Sequence, residues 1–228
     1  MYAIARIGPS TCEGVAVDLR LILLIVLGVV SVIYLVSIGF KETLFQYILR
    51  GCLMPLVVGI YCASTATILV LVICALVFAW IGDILLIDLE PMLRFQLGIA
   101  SFLICHVCYI IAMWEFAVPM SLLGLAVSLV VGTTYSLIVY RAIRPTGDMK
   151  LPIAIYEAIL ILMAVFACQV LLAQRSFGGI AIFAGAILFI VSDTLLSLRT
   201  FRGTRVYFLV MLTYIVAQVL IIWGFSIV

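Results

Sequence analysis

The chain has 228 residues, of which 68% are hydrophobic and only 10% charged, with a mean hydropathy of +1.47. A soluble globular domain carries about 45–50% apolar and about 25% charged residues, so that class is excluded, as are disordered chains and secreted disulfide-rich modules. The net charge of +2, from 12 basic and 10 acidic residues, comes with no basic run long enough to follow a phosphate backbone, so no nucleic-acid partner is expected. What remains is a polytopic membrane protein whose solvent is lipid.

A transmembrane helix needs about 20 predominantly apolar residues. Charges and turn residues divide the chain into eight such stretches, near Leu21–Phe40, Ile48–Ala63, Thr67–Ile87, Phe95–Trp114, Val118–Tyr140, Pro152–Leu172, Gly179–Leu198 and Val206–Ile227. The fold expected is therefore all-α, a single integral membrane domain over 1–228 made of eight transmembrane helices. The second stretch is the shortest. Residues 1–20 are too polar for the apolar core of a signal peptide and read as an uncleaved extramembrane segment. The connections are short, so any chemistry sits inside the bundle or at its rim.

Lys and Arg give the orientation. Lys41, Arg50, Arg94, Arg141, Arg144, Lys150, Arg199, Arg202 and Arg205 gather at the exits of the odd-numbered spans, against Arg6, Arg20 and Arg175 on the other side. That bias places the odd-span exits in the cytoplasm and both termini outside. A faint repeat accompanies it: Gly82-Asp83-Ile84-Leu85-Leu86 closes the third span and Ser192-Asp193-Thr194-Leu195-Leu196 the seventh. Four spans per half is an even number, so the halves would be two parallel four-helix repeats. A shared need for an acid at one depth explains the pattern equally well.

An ionisable group inside a span costs at least about 2.5 kcal/mol, so each asks for a reason. At about 1.5 Å rise per residue, Asp83 lies about 6 Å inside the cytoplasmic boundary, and Asp193 and Glu157 about 8 Å. Three carboxylates from three helices are thus expected in one layer. His106 sits near the middle of the fourth span with Tyr109 on the same face, and Tyr214 and Gln218 share a face of the eighth. Glu157 alone also fits a snorkelling side chain. His106 fits a packing residue, and Tyr109, Tyr214 and Gln218 fit interhelical hydrogen bonding. Asp83 and Asp193 resist such readings because each stands in a small-Asp-x-Leu-Leu context at matched depth. Asp88, Glu90, Glu115 and Asp148 read as solvated loop charges.

The seven cysteines fall mostly within apolar stretches and read as small hydrophobic side chains. In Cys105-His106-Val107-Cys108 the two thiols share a helix face while the imidazole points about 100° away, so no metal is expected there. No H-E-x-x-H, no G-x-S-x-G and no mid-span lysine in the seventh helix is present. Acid–base chemistry by carboxylates is the remaining catalytic option. A small proton-coupled transporter using the same aspartates is the alternative from another class.

Phe78-Ala79-Trp80-Ile81-Gly82-Asp83-Ile84-Leu85-Leu86, followed by Phe95-Gln96-Leu97-Gly98, Phe102 and His106-Val107-Cys108-Tyr109, resembles the GD-x-x-L, F-x-x-G and F-x-x-x-H-x-x-Y pattern of the YhhN-like lysoplasmalogenase family. In the second half Pro152 and Tyr156, Gly185-Ala186-Ile187-Leu188-Phe189-Ile190-Val191-Ser192-Asp193, Thr213-Tyr214 and Ala217-Gln218 match the same family in register. One departure is visible: Met54-Pro55 stands where the family often has Lys-Pro.

The resemblance implies an eight-helix membrane hydrolase that cleaves the vinyl ether bond of lysoplasmalogens to a fatty aldehyde and glycerophosphoethanolamine or glycerophosphocholine. It makes Asp83 and Asp193 the expected catalytic pair, with His106, Tyr109, Tyr156, Glu157, Tyr214 and Gln218 as groups that contact substrate or position water. Neither a metal nor an organic cofactor is required, and the partners implied are the lysophospholipid substrate and the bilayer itself. That bilayer would be a bacterial inner membrane, or the endoplasmic reticulum in a eukaryote. The substrate headgroup is expected at the rim near Lys150, Arg199, Arg202 and Arg205, with the tail running up between helices.

Overall fold

The computed structural model describes residues 9–40, 44–87, 92–145 and 147–228, with side chains from Leu19 onward apart from Met92. Arg6, Lys41, Asp88 and Glu90 lie outside the described residues. Eight α-helices follow one another: α1 (Pro9–Ser37), α2 (Leu44–Ser64), α3 (Val70–Leu85), α4 (Met92–Trp114), α5 (Leu122–Ile143), α6 (Lys150–Gln174), α7 (Phe177–Arg202) and α8 (Tyr207–Ile227). Short 3-10 turns at Glu115–Ala117 and Gly147–Met149 lead into α5 and α6, and no strand occurs among the described residues. In hydrocarbon every backbone polar group must be satisfied within its own segment, which an all-helical chain achieves.

Seven of the helices are long and apolar enough to cross a membrane, and the protein is an integral membrane protein. The short one is α3, with 16 residues, whereas α2 has 21, the reverse of the expectation that the second span is shortest. Two local features explain it. Thr65 Oγ1 bonds Thr67, and the Tyr61 hydroxyl accepts from Leu69 N at 3.1 Å, holding the chain out of helix until Val70. In α2, Pro55 has no N–H to give the Gly51 carbonyl one turn back. The Trp80 indole of α3 donates to that carbonyl at 2.8 Å, so the helix runs through the proline with no backbone oxygen stranded in lipid.

The bundle is apolar on both its outside and its inside. Leu122, Leu123 and Phe177 are 76–81% exposed because lipid, not water, surrounds them. α1 and α5 lie at the periphery, while α4, α6, α7 and α8 hold most of the buried residues. The closest pairings are α7 with α8 and α3 with α4, equivalent pairs in the two halves. Small residues allow the first: a Cβ on Gly185 would lie 2.9 Å from the Ala217 carbonyl oxygen, and one on Gly224 2.7 Å from that of Gly178. Those neighbours are backbone and cannot move aside. The C-terminal ends of α1, α3, α5 and α7 and the N-terminal ends of α2, α4, α6 and α8 share one end of the bundle, where Arg50, Arg94, Arg141, Arg144, Lys150, Arg199, Arg202 and Arg205 lie. We call it the basic end.

Candidate functional site

Near the basic end, Asp83 is brought inward by the last turn of α3 and is 1% exposed. Two partners from two other helices hold its carboxylate. Tyr214 of α8 donates its hydroxyl to Oδ2 at 2.8 Å, and Arg50 of α2 places Nη2 3.5 Å from Oδ1. Arg50 is itself 5% exposed, and its Nη1 donates to the Tyr207 hydroxyl at 2.7 Å and to the Leu86 carbonyl at 3.3 Å. Arg50 is a residue the sequence reading counted only as a charge at a loop flank, yet it supplies the cation one helical turn before Met54, the position where the family's lysine is absent.

Asp193 on α7, 8% exposed, is held differently. The Tyr156 hydroxyl of α6 donates to its Oδ2, and no cation is paired with it among the described residues. Its neighbour Ser192 donates to the Val210 carbonyl at 3.0 Å, fixing this turn of α7 against α8.

An aromatic cluster joins the two carboxyls. Tyr214 meets Phe102 and Phe189 edge to face, with centroids 5.8 and 5.5 Å away. Phe189 in turn meets His106 at 4.7 Å, and His106 meets Tyr156 at 5.5 Å. Gly82 permits the packing: a Cβ there would fall 2.7 Å from the Phe102 ring. Each tyrosine thus has its ring in a shared wall and its hydroxyl on a different aspartate. His106 is fully buried, and neither ring nitrogen has a hydrogen-bond partner of good geometry among the described residues. No three His, Cys, Asp or Glu side chains come together as a metal-holding group among those residues.

Asp83, Asp193, His106, Tyr156 and Tyr214 are therefore gathered into one site, and three of the expected residues are not. Glu157 turns toward α5, where the Ser136 hydroxyl donates to Oε2 at 3.2 Å; one residue beyond Tyr156 on a helix, it points about 100° away from the aspartates. The three carboxyls share a depth, but of the three Asp83 and Asp193 are held by the tyrosines of the shared aromatic cluster while Glu157 meets Ser136. Tyr109 and Gln218 form their own buried pair at 2.6 Å, with Tyr109 stacked on Phe225 and Gln218 one helical turn beyond Tyr214 on α8. The rim arginines are also partly committed. Arg202 donates Nε to the Ala142 carbonyl at 2.8 Å, and the Arg199 guanidinium lies 4.0 Å from the Tyr207 ring centroid.

One void borders the site, and a larger one lies along neighbouring helices. A crevice of about 20 Å³ is lined by Asp193, Tyr156, Phe102, Phe95 and Leu86 among others. An apolar groove of about 610 Å³ runs between α5, α6 and α7 from Ser121 to Tyr135, past Gly124, Ser128 and Gly132. At its basic end Tyr135 shares a 2.8 Å hydrogen bond with Thr194, the residue after Asp193.

No curated protein and no solved structure matched the chain. The model of the YhhN family, by contrast, matches residues 42–225, which covers both aspartates, both tyrosines, the aromatic wall between them and Arg50. The chain belongs to the YhhN family.

Proposed function

We propose that the protein is a lysoplasmalogenase, a hydrolase of the vinyl ether bond in 1-alkenyl lysophospholipids. The observation that carries this reading is the inequality of two buried, tyrosine-bonded aspartates joined by one aromatic wall. In this reading Asp83, which faces a guanidinium, serves as the carboxylate, and Asp193, which has a hydroxyl and no paired cation among the described residues, serves as the acid. Vinyl ether hydrolysis asks for one acid and one base, and an oxocarbenium ion lies between them, as in glycoside cleavage.

The steps close on themselves. Asp193 gives its proton to the outer alkene carbon, and its carboxylate becomes the counter-ion of the oxocarbenium it has made. Water adds to the other alkene carbon, the one bonded to the ether oxygen, and gives a proton to Asp83, leaving a hemiacetal. The hemiacetal hydroxyl then returns a proton to Asp193 while Asp83 protonates the departing glycerol oxygen. Aldehyde and glycerophospho-alcohol leave, and both carboxyls are reset. Tyr156 and Tyr214 hold the two groups in register with the aromatic wall, and the rings of that wall offer π faces to a developing cation.

The apolar groove supports a single-chain lipid as substrate. From Ser121 to Tyr135 it extends about 21 Å at the helical rise of about 1.5 Å per residue, longer than one leaflet's half of a hydrocarbon core of about 30 Å. Its basic end is tied through Tyr135 to Thr194, the residue after Asp193, and the first carbons of a tail would leave the groove there toward the aspartates.

The test is direct. Purified protein in detergent or nanodiscs should release fatty aldehyde from a 1-alkenyl lysophospholipid. It should leave the saturated 1-alkyl ether intact, because that analogue has no alkene to protonate. Fatty acid released from the 1-acyl lipid at a comparable rate would replace this reading with a general lysophospholipase. Transport without aldehyde would replace it with a carrier.

A further inference from the structure

Beyond Asp83, on the far side of Arg50, lies a second pocket that the reaction as described does not use. It measures about 40 Å³ and is lined by Tyr34 and Ile38 of the α1 end, Gln46, Tyr47 and Arg50 of α2, Ile87 after α3, and Tyr207 of α8. At about 10–15 Å³ per water it has room for about three waters, or for the outward oxygens of one tetrahedral anion.

The lining is one-sided in its chemistry. Arg50 contributes a guanidinium whose Nε is buried and without a hydrogen-bond partner among the described residues. The Tyr34 and Tyr207 hydroxyls are 3.0 Å apart, and the Tyr207 oxygen also accepts from Arg50 Nη1. Two hydroxyl hydrogens serve one mutual bond, so whichever tyrosine donates, one O–H is left over. Gln46 spends one amide hydrogen on the Ser37 carbonyl and keeps the other. No carboxylate among the described residues lines the pocket. A guanidinium edge flanked by surplus N–H and O–H donors, with no carboxylate among the described lining residues, suits an oxyanion.

We propose that this pocket binds the phosphate of the lysophospholipid headgroup. The proposal rests on the lysoplasmalogenase reading and deepens it. One guanidinium separates the pocket from the Asp83 carboxylate, and one three-carbon glycerol separates a phosphate from the sn-1 ether oxygen. Phosphate on Arg50 therefore sets the vinyl ether beside the aspartates. Arg50 acts twice, holding Asp83 with Nη2 and the headgroup with its remaining edge. The headgroup then sits between α1, α2 and α8, not at Lys150, Arg202 and Arg205 as the rim charges alone imply.

The experiment compares ligands with and without phosphate on the full chain in nanodiscs. Binding of the unreactive 1-alkyl lysophospholipid and of 1-alkylglycerol is measured calorimetrically for wild type and for Tyr34→Phe and Arg50→Lys. Wild type should hold the phospholipid at least tenfold more tightly. Tyr34→Phe, which keeps the ring, should weaken phospholipid binding about tenfold and leave 1-alkylglycerol unchanged, and Arg50→Lys, which keeps the charge, should weaken phospholipid binding about tenfold more than that of 1-alkylglycerol. Equal loss for both ligands, or no preference for phosphate in wild type, would overturn the pocket. Displacement of the lipid by inorganic phosphate at matching concentration would overturn the headgroup assignment in favour of free phosphate. Turnover of the 1-alkenyl forms separates the two claims. Aldehyde released equally well from 1-alkenylglycerol keeps the reaction and overturns the pocket. Phosphate-selective binding without aldehyde from any substrate keeps the pocket and removes the reaction.

Discussion

Asp83 and Asp193 stand in nearly the same local sequence, a small residue before and Leu-Leu close behind, and in equivalent helices of the two halves. Their surroundings differ in one respect. Each receives a tyrosine hydroxyl, but only Asp83 faces a buried arginine. The lesson is that a repeated motif supplies position, whereas the chemistry of each copy is set by side chains that other helices bring to it. Under the proposed reaction, two like acids take the roles of acid and base because α2 carries Arg50 to one of them.

The first way to break the comparison is to remove each acid. Asp83→Asn and Asp193→Asn should each lower aldehyde release by about 10²–10⁴-fold, the range for general acid–base groups, and the double variant should be scarcely worse than either. The wild-type pH profile should be bell-shaped, falling at acid pH as Asp83 is protonated and at alkaline pH as Asp193 loses its proton. Residual activity should lack the acid limb in Asp83→Asn and the alkaline limb in Asp193→Asn. Limbs exchanged between the variants would reverse the roles.

The same substitutions should part company in stability. Asn in place of a protonated Asp193 is nearly neutral. Asn in place of Asp83 strands a guanidinium that is 6% exposed, and losing one partner of a buried pair costs on the order of 3 kcal/mol. Thermal unfolding in detergent should show the drop for Asp83→Asn alone, and adding Arg50→Gln should restore stability without restoring turnover.

Smaller effects sharpen the comparison. Tyr156→Phe takes away the hydrogen bond that holds Asp193, while Tyr214→Phe leaves Asp83 its arginine. Asp193 becomes charged as it gives up its proton, and a hydrogen bond to a charged group is worth about 1.5–3 kcal/mol, so kcat should fall about tenfold or more in Tyr156→Phe and less in Tyr214→Phe, where the arginine remains. Glu157→Gln, which keeps the side chain's shape and its reach to Ser136, should leave kcat within about threefold of wild type and both limbs of the pH profile in place, as for a residue that does not exchange protons with the substrate. A lost limb in Glu157→Gln would return that residue to the site.

Much of this was legible in the residues themselves. The eight helices follow from apolar run lengths, and the two aspartates from the cost of a carboxyl in lipid. Depth along a helix can be counted from its end, which is why Asp83, Asp193, Tyr156 and Tyr214 fall at compatible levels. Azimuth is harder to read, and Glu157 shows the failure: at the right depth, one residue past Tyr156, it looks toward α5. Arg50 shows another kind of failure. It lies inside the stretch assigned to the second span, where the rule applied to the aspartates applies equally to a cation, but its partner is 33 residues away in the chain. No local pattern links Arg50 to Asp83 but not to Asp193, so which carboxyl is the acid emerges only when α2 packs on α3.

The unequal charge of the two aspartates can be measured without substrate. Infrared difference spectra of the resting protein near neutral pH should contain a carbonyl band of a buried protonated carboxyl, shifted by deuterium exchange. That band should persist in Asp83→Asn and Glu157→Gln and disappear in Asp193→Asn. A band lost in Asp83→Asn and kept in Asp193→Asn would contradict the account, because the acid would then be the aspartate that faces the arginine.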